Sequence, residues 1–241
     1  AYAMNPSLVG SAMCIRDRYG STRLSGKPLL DINGKPMIVR VWEVVKKVLP
    51  TYVATDDLRI AEAIEREGGN TILTSVDCQN GTARVAEAFA NINIDAKIVL
   101  NIQGDEPMVS EKDINILLRL MQNDKVKIGT LVTSILEEDE ASESNCFVDR
   151  TDDGKCHDFR RRIENFSFNK YRHVGMYGFM SSILEELTSL KPTAREKNEG
   201  LEQLRWIENK YEIYSSVIET PGIGVDTSED LKKVRKKLDR N

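Results

Sequence analysis

Short apolar runs alternate with longer amphipathic segments along most of this chain, and this alternation limits the possible folds more than any other feature. The run KIVLNI (97–102) is typical of a buried strand, whereas LRIAEAIEREGG (58–69) has the apolar spacing of a helix. With 241 residues, of which 40% are hydrophobic, the chain is long enough for a sizeable core. Strands and helices that alternate in this way predict an α/β fold.

The same patterning predicts the individual elements. Strands are predicted at 12–15, 52–55, 72–74, 97–102, 127–136 and 213–218, with two or three more between 147 and 179. Helices are predicted at 58–69, 82–92, 110–123, 199–209 and 228–238, with another that ends near 190. The segment GIGV (222–225) is predicted to be a short strand, and the acidic stretch 137–145 an exposed linker. Residues 1–11 match neither pattern and are interpreted as a non-native or disordered extension.

Composition excludes several classes of function. The net charge of −4 gives no overall basic field, so a nucleic-acid partner is not expected. No apolar run reaches the ~20 residues of a membrane span, and no secretory signal is recognised, so membrane insertion and export are not expected. The cysteines form no CxxC pair, which argues against structural zinc and favours reduced thiols in a cytoplasm: Cys14, Cys78, Cys146 and Cys156.

The stretch RYGSTRLSGKPLLDINGKPM (18–37) places cations among small residues. The four cations are Arg18, Arg23, Lys27 and Lys35. Because glycine and serine let the backbone approach closely while the cations neutralise charge, such a loop can hold a triphosphate. A solvated basic loop is the alternative interpretation.

Two carboxylates are predicted to follow strands. Asp105 comes just after the run KIVLNI, and Asp226 comes just after GIGV. The carboxyl ends of parallel strands border the crevice in which open α/β sheets bind ligands, so the two carboxylates could hold one Mg²⁺. Such an ion could polarise a phosphate and lower the pKa of an attacking hydroxyl. As an alternative, both residues could be ordinary turn formers or helix starts.

Seven ordered motifs resemble those of the 3-deoxy-manno-octulosonate (Kdo) cytidylyltransferase family, from residue 18 to the C-terminus. They are RYGSTRLSGKPLLDINGKPMIVRVWE, VATDD, NGTARVAEA, NIQGDEPM, RHVGMYGF, LEQLRWIEN and GIGVDTSEDL. The resemblance implies transfer of CMP from CTP to the anomeric hydroxyl of Kdo with release of pyrophosphate. It further implies Mg²⁺ dependence, a cytoplasmic homodimer and a place in lipopolysaccharide synthesis.

The fold that the resemblance implies is an α/β three-layer sandwich. Its central sheet would be mixed but mostly parallel, as in nucleotide-diphospho-sugar transferases. Residues 12–241 would form a single nucleotidyltransferase domain, with a dimerisation arm around 140–185.

The resemblance also assigns the nucleotide site. Arg18 and Lys27 would bind the triphosphate, while Ser21 and Arg23 would shape the loop. Gln103 would bridge nucleotide and sugar, and Asp105 with Asp226 would hold magnesium. The segment beside the cytosine would comprise Asn80, Gly81, Thr82 and Arg84.

A second group would bind the acidic 2-keto sugar. His173, Tyr177, Glu202 and Gln203 would line its pocket. An arginine of FRRR (159–162) would meet its carboxylate; Arg161 is favoured, with Arg160 and Arg162 as alternatives. The residues allow a simpler interpretation, in which His173 and Tyr177 are half-buried sheet residues and Glu202 and Gln203 are solvated on an amphipathic helix.

The chain departs from the family pattern at several positions. Where the family has a proline and an alanine before the loop, this chain has Arg16 and Asp17. Ala83 stands in place of an acidic residue, and Ser25 stands in place of a proline. The segment 147–150 lacks the lysine of the family. Asp17 would repel a phosphate if it pointed inward, so we expect it to turn outward once 12–15 pairs into the sheet.

Several functions therefore remain open besides the active Kdo enzyme. A non-catalytic dimeric relative is one alternative. A cytidylyltransferase for 8-amino-Kdo or a sialic acid is another. A nicotinamide-dependent dehydrogenase is disfavoured because no GxGxxG follows an early strand.

Overall fold

The computed structural model describes residues 10–20, 24–92, 94–139, 145–219 and 222–239. These residues form two compact units. The first unit contains the residues up to 114 together with those from 222 onward, and the second contains residues 115–219. The expected extension falls mostly on residues 1–9, which lie outside the described part, and the first strand begins at Ser11.

The first unit contains a parallel sheet of four strands and a small hairpin. The sheet strands are β1 (Ser11–Arg16), β4 (Thr51–Thr55), β5 (Asn70–Leu73) and β6 (Ile98–Gln103), and the hairpin strands are β2 (Asp31–Ile32) and β3 (Lys35–Pro36). The order in the sheet is β5-β4-β1-β6, with Arg16 in register with Gln103. Because these strands are parallel, all four carboxyl ends lie at one edge of the sheet.

Helices of the first unit begin at recognisable signals. They are α1 (Met37–Val45), α2 (Leu58–Arg66), α3 (Gly81–Asn91) and α8 (Ser228–Leu238), and α4 (Glu111–Met121) contains the boundary between units. Asp57 caps α2 by accepting from Arg59 N, and Asn80 caps α3 by accepting from Ala83 N. The caps fix where these helices start relative to the strand ends.

The second unit is a mixed sheet with short helices. Its strands are β7 (Ile128–Thr133), β8 (Phe147–Arg150), β9 (Lys155–Arg160), β10 (Asn169–Met180) and β11 (Ile213–Val217), and its helices are α5 (Leu184–Ser189), α6 (Ala194–Glu199) and α7 (Gln203–Glu208). The pair β7–β11 is parallel, whereas β10 is antiparallel to β7 and β8, and β9 to β8 and β11. The expectation of a mostly parallel sheet thus holds only in the first unit.

Most of the predicted elements are confirmed within a few residues, and the differences have local causes. GIGV is not a strand; within the described residues its backbone forms no ladder, and Val225 N donates to Asp105 O. The helix predicted at 199–209 is two helices, because Gly200 ends α6 with a left-handed φ of 64°. The stretch 137–145 is not simply an exposed linker, since Asp139 is buried and paired with Arg172.

No helix among the described residues is long and apolar enough to cross a membrane.

Candidate functional site

Three segments of the first unit converge on the Lys27 ammonium. Nζ lies 2.5 Å from Asp105 Oδ2 and 3.2 Å from Asp226 Oδ1. The Lys27 side chain is only 10% exposed, against 26% for Asp105 and 36% for Asp226. The two carboxylates predicted at strand ends are therefore brought together, and a single cation already sits between them.

Local structure holds each of these side chains in place. Lys27 begins a short 3-10 helix directly after Gly26. Gly26 has a left-handed φ of 65°, which favours glycine, and a Cβ at this position would crowd the Tyr19 side chain. Asp105 follows β6, and its carbonyl accepts from Val225 N at 2.9 Å. This backbone hydrogen bond, and not a strand, positions Asp226 close to Asp105.

The start of α8 fixes Asp226 in turn. Thr227 and Asp230 form a capping box, and Asp230 Oδ2 also accepts from Asp226 N at 3.2 Å. Leu231 and Val234 of the same helix pack against the hairpin and α1 residues Ile32 and Met37. The carboxylate is thus anchored by buried apolar contacts one and two turns away.

Charge interactions dominate the electrostatics of Lys27. Burial lowers the pKa of this ammonium, but the charge and hydrogen bonds of Asp105, followed by those of Asp226, outweigh it and raise the pKa above its usual value. Lys27 therefore stays protonated, as a ligand for phosphate requires.

Asp17 does not turn outward as expected. Its Oδ1 accepts from Arg18 N, and its Oδ2 is covered by protein and has no hydrogen-bond partner among the described residues. A Cβ on Gly104 would lie 2.2 Å from Oδ2, so the glycine makes the space that the carboxylate occupies. Burial, with the charge of Asp105, raises the pKa of Asp17 to about 8.

Arg16 also points into the site. Its Nη2 donates to Gln103 Oε1 at 2.9 Å, while its buried Nε has no hydrogen-bond partner in the part of the chain that the structure describes. An ideal Cβ on Gly81 would lie 2.1 Å from Nε, so the guanidinium rests on the first residue of α3. Sequence reasoning noted Arg16 and Asp17 only as departures; that they face the site depends on sheet register.

The segment expected beside the cytosine has mixed roles. Asn80 uses its side chain to cap α3, and Thr82 is buried. Arg84 is 4% exposed and donates to Asp56 Oδ2 at 2.7 Å and to Thr74 Oγ1 at 2.5 Å. The Arg84 guanidinium thus holds α3 against the neighbouring strand ends.

The phosphate loop is described only in part. Arg18 is exposed, and its guanidinium makes no hydrogen bond or ion pair with the described residues. Ser21 and Arg23 lie outside the described part of the chain, so their roles stay predictions. The Arg59 guanidinium lies over the Tyr19 ring, 3.4 Å from the ring centroid, a contact that no local sequence pattern predicts.

The second unit brings His173 and Tyr177 together, with ring centroids 5.2 Å apart. His173 Nε2 lies 2.8 Å from Thr130 Oγ1, which donates its hydrogen to Met176 O. The hydroxyl must then accept from Nε2–H, which fixes the tautomer. Burial, followed by Arg172 and Arg161, lowers the pKa of His173 to about 3, so the ring is neutral.

The arginines of FRRR have different surroundings. Arg160 pairs with Asp158, whereas Arg161 donates to the carbonyl oxygens of Glu199, Asn145 and Gly200. Arg162 is exposed and makes no such contact within the described residues. The Arg161 guanidinium thus bonds to backbone carbonyls, and which of the three arginines meets the sugar carboxylate stays a prediction.

Glu202 and Gln203 begin α7 of the second unit. Glu202 is half-buried, and Gln203 is buried and donates to Cys146 Sγ at 3.4 Å. The solvated alternative is thus excluded for Gln203, whose amide belongs to the interior of the unit.

The chemistry of the site suits a hard divalent cation. Asp105 Oδ2 and Asp226 Oδ1 already share one cation, and Mg²⁺ prefers a few carboxylates and completes its shell with water and phosphate oxygens. The described part of the chain contains no group of three or more acidic, histidine or cysteine side chains that could hold a metal. Two carboxylate oxygens would leave most of a six-coordinate shell to water and a bound ligand, so magnesium at this site stays a prediction.

Comparison with known proteins identifies the class of protein to which the chain belongs. The cytidylyltransferase family model matches residues 12–213. A solved CMP:2-keto-3-deoxy-manno-octonic acid synthetase complexed with CTP shares the fold with a TM-score of 0.88 and 36% identity, over 95% of this chain and 98% of that one. A cytidylyltransferase from Leptospira borgpetersenii, 17% identical with a TM-score of 0.68, shares the fold alone; 97% of this chain and 88% of that one are covered.

Curated relatives identify the family within the cytidylyltransferases. The 3-deoxy-manno-octulosonate cytidylyltransferase of Parabacteroides distasonis is 39% identical over 234 residues, covering 90% of this chain and 93% of the relative. That of Thermodesulfovibrio yellowstonii is 38% identical, with 92% and 95% covered. The chain belongs to the 3-deoxy-manno-octulosonate cytidylyltransferase family.

Proposed function

We propose that this protein is an enzyme that transfers CMP from CTP to Kdo and releases pyrophosphate. The observation that carries the proposal is the convergence of Lys27, Asp105 and Asp226 at one end of a parallel sheet, in a chain of this family. This arrangement supplies what nucleotidyl transfer needs, namely a cation for phosphate and two oxygen ligands for a metal. The comparisons do not favour the non-catalytic alternative.

The reaction joins the anomeric oxygen of the sugar to the α-phosphorus of CTP. The bond from that phosphorus to the bridging oxygen of the β-phosphate breaks, its electrons leave with pyrophosphate, and the proton of the anomeric hydroxyl passes to water. Bound by Asp105 and Asp226, Mg²⁺ would neutralise phosphate charge and lower the pKa of the attacking hydroxyl.

Lys27 and Arg18 are the proposed phosphate ligands of this chain. The exposed Arg18 side chain can reach a ligand without breaking a described contact. Lys27 must exchange at least one carboxylate for a phosphate oxygen, which becomes favourable once a metal occupies Asp105 and Asp226. Gln103 would then contact the nucleotide and the sugar from the end of β6.

The sugar-binding residues of the second unit remain part of the proposal. A neutral His173 offers a hydrogen-bonding ring beside Tyr177, and Glu202 offers a half-buried carboxylate. Since Arg161 is committed to backbone carbonyls, we assign the sugar carboxylate to Arg162.

Three broader features are proposed with the function. The sandwich architecture of nucleotide-diphospho-sugar transferases is supported by the parallel sheet and flanking helices of the first unit. A cytoplasmic location is supported by four free cysteines, and a homodimer by the family resemblance alone. Light scattering in solution tests the dimer.

The deciding experiment measures pyrophosphate release with CTP, Mg²⁺ and a panel of 2-keto acid sugars. We expect turnover with Kdo that exceeds turnover with 8-amino-Kdo and sialic acid. UTP in place of CTP provides the matched nucleotide control. No release with any sugar at saturating CTP and Mg²⁺ would refute the proposal, and a preference for another sugar would move the chain to a different substrate.

A further inference from the structure

The C-terminal end of β1 carries a half-buried arginine that has no carboxylate partner within the described residues. Arg16 forms no ion pair with them, and its one side-chain hydrogen bond runs from Nη2 to the neutral amide oxygen of Gln103, at 2.9 Å. The adjacent Asp17 carboxyl accepts from Arg18 N and lies against Gly104 instead. A half-buried guanidinium without a counter-charge is unfavourable, so an anionic ligand would complete this part of the site.

A second arginine near the start of α3 shows the contrast. Arg84 donates to Asp56 Oδ2 at 2.7 Å, so its charge is compensated within the first unit. The Arg16 guanidinium instead rests on Gly81, the first residue of α3, where an ideal Cβ would lie 2.1 Å from Nε. The N-terminal end of a helix carries a positive partial charge, so this helix cannot compensate the arginine and itself favours an anion. The guanidinium and the start of α3 thus place two positive groups side by side.

The position of Arg16 indicates which anion it meets. Its guanidinium contacts the start of α3, which is the segment expected beside the cytosine, and it also contacts Gln103, two residues before the proposed metal ligand Asp105. In CTP the α-phosphate is the group between the nucleoside and the two phosphates that leave as pyrophosphate. A cation between the cytosine segment and the metal ligand therefore matches the α-phosphate better than it matches the two outer phosphates.

We propose that Arg16 is a further nucleotide ligand, whose guanidinium donates to the α-phosphate of CTP. The inference rests on the proposed function, because it takes the cytosine segment and Asp105 as the two ends of the nucleotide site. A guanidinium has five N–H donors, so Arg16 can bind phosphate and still donate to Gln103. The α-phosphate stays with cytidine when the product forms, so Arg16 holds the nucleotide before and after the transfer.

Calorimetry with CMP and cytidine tests the proposal, because these two ligands differ by one phosphate. Arg16→Met removes the charge and keeps a long apolar side chain against Gly81. We expect Arg16→Met to weaken the binding of CMP by about tenfold or more, the effect of a lost charge-assisted hydrogen bond. The affinity for cytidine should change by less than about twofold, because cytidine has no phosphate. Arg16→Lys keeps the charge and should recover part of the affinity for CMP.

Two further variants complete the test. Arg66→Met is the matched control, since it removes an exposed arginine paired with Glu62 on α2 and should leave both affinities unchanged. Thermal unfolding of each variant reports whether it folds. If Arg16→Met does not fold, Arg16→Gln takes its place in the same comparison, because it removes the charge and keeps an amide donor.

The outcomes separate this inference from the proposed function. An unchanged affinity of Arg16→Met for CMP overturns the role of Arg16, and weaker Kdo binding in the same variant would then move the contact to the sugar carboxylate. Equal losses for CMP and cytidine also overturn it, because they would place Arg16 in the fold or beside the base. A wild-type chain that binds neither CMP nor CTP instead overturns the proposed function.

Discussion

Replacing Lys27 by methionine tests both the stability and the chemistry of the site. The substitution keeps an unbranched side chain of similar length and removes the ammonium that separates Asp105 from Asp226. Deleting one partner of a buried ion pair costs about 3–5 kcal/mol, and we reduce this to about 2–3 kcal/mol because Asp226 is about one-third exposed. For a chain of this length, the midpoint temperature of thermal unfolding should fall by roughly 5–10 °C.

Added magnesium should then distinguish the variant from the wild type. In the wild-type chain the ammonium competes with a metal for Asp105 and Asp226, whereas in Lys27→Met the carboxylates face each other without a cation. We therefore expect Mg²⁺ to raise the unfolding temperature of the variant more than that of the wild type. Lys35→Met is the matched control, since Lys35 pairs with Glu43 at the surface and its loss should cost at most about 1 kcal/mol.

Calorimetry with two ligands separates phosphate binding from folding. A charge-assisted bond to phosphate contributes about 1.5–3 kcal/mol, which corresponds to roughly ten- to 150-fold in affinity. Lys27→Met should weaken the binding of CTP by this factor. The affinity for cytidine, which has no phosphate, should stay nearly unchanged. Equal weakening of both ligands would refute the phosphate role and show that Lys27 acts through folding.

Three further predictions concern single carboxylates and the buried histidine. Asp105→Asn or Asp226→Asn should abolish most turnover while thermal unfolding changes little, and full turnover at limiting Mg²⁺ would disprove the metal assignment. Because burial raises the pKa of Asp17 to about 8, its negative charge is fully present only above that pH, so at pH 9 Asp17→Asn should tighten CTP binding several-fold by calorimetry; unchanged affinity at pH 9 would mean that the phosphates do not feel the Asp17 charge. The lowered pKa of His173, about 3, means that stability is lost as pH falls below the unfolded value of about 6.5, by up to about 1.4 kcal/mol per pH unit. Urea unfolding should therefore show a smaller loss between pH 6.5 and 5 for His173→Phe than for wild type, and equal losses would contradict the assignment.

Elements defined by local pattern were predictable from the sequence. The strand at β6 is a continuous apolar run, and α8 has a capping box and apolar spacing, so both were placed within a residue. Helix α1 was missed although Ile38, Val41 and Val45 have helical spacing and are buried. The periodic signal for this helix is therefore present in the sequence, directly after the cationic loop.

Other features depend on contacts that no local pattern records. GIGV has the composition of a short strand, but its described backbone forms no ladder, and only the bond from Val225 N to Asp105 O aligns it. Asp105 and Asp226 were expected to lie close together because both were predicted at strand ends. They do lie close together, although Asp226 is positioned by the bond from Val225 N to Asp105 O and not by a strand. The ammonium between them requires the left-handed turn at Gly26, which the sequence suggests but does not locate in space.

Arg16 and Asp17, the two departures from the family pattern at the end of β1, have different surroundings although they are neighbours in the chain. Neighbouring side chains on a strand point to opposite faces, so Arg16 reaches Gln103 and Gly81, whereas Asp17 reaches Gly104 beside Asp105. Glycines at positions 81 and 104 provide the space on each side. Because Arg16 donates to Gln103 and Asp17, once ionised above about pH 8, adds a negative charge beside Asp105, their effects on nucleotide binding should be opposite in sign at that pH. A chain with both replaced would therefore conceal two large effects, and only the single variants can measure them.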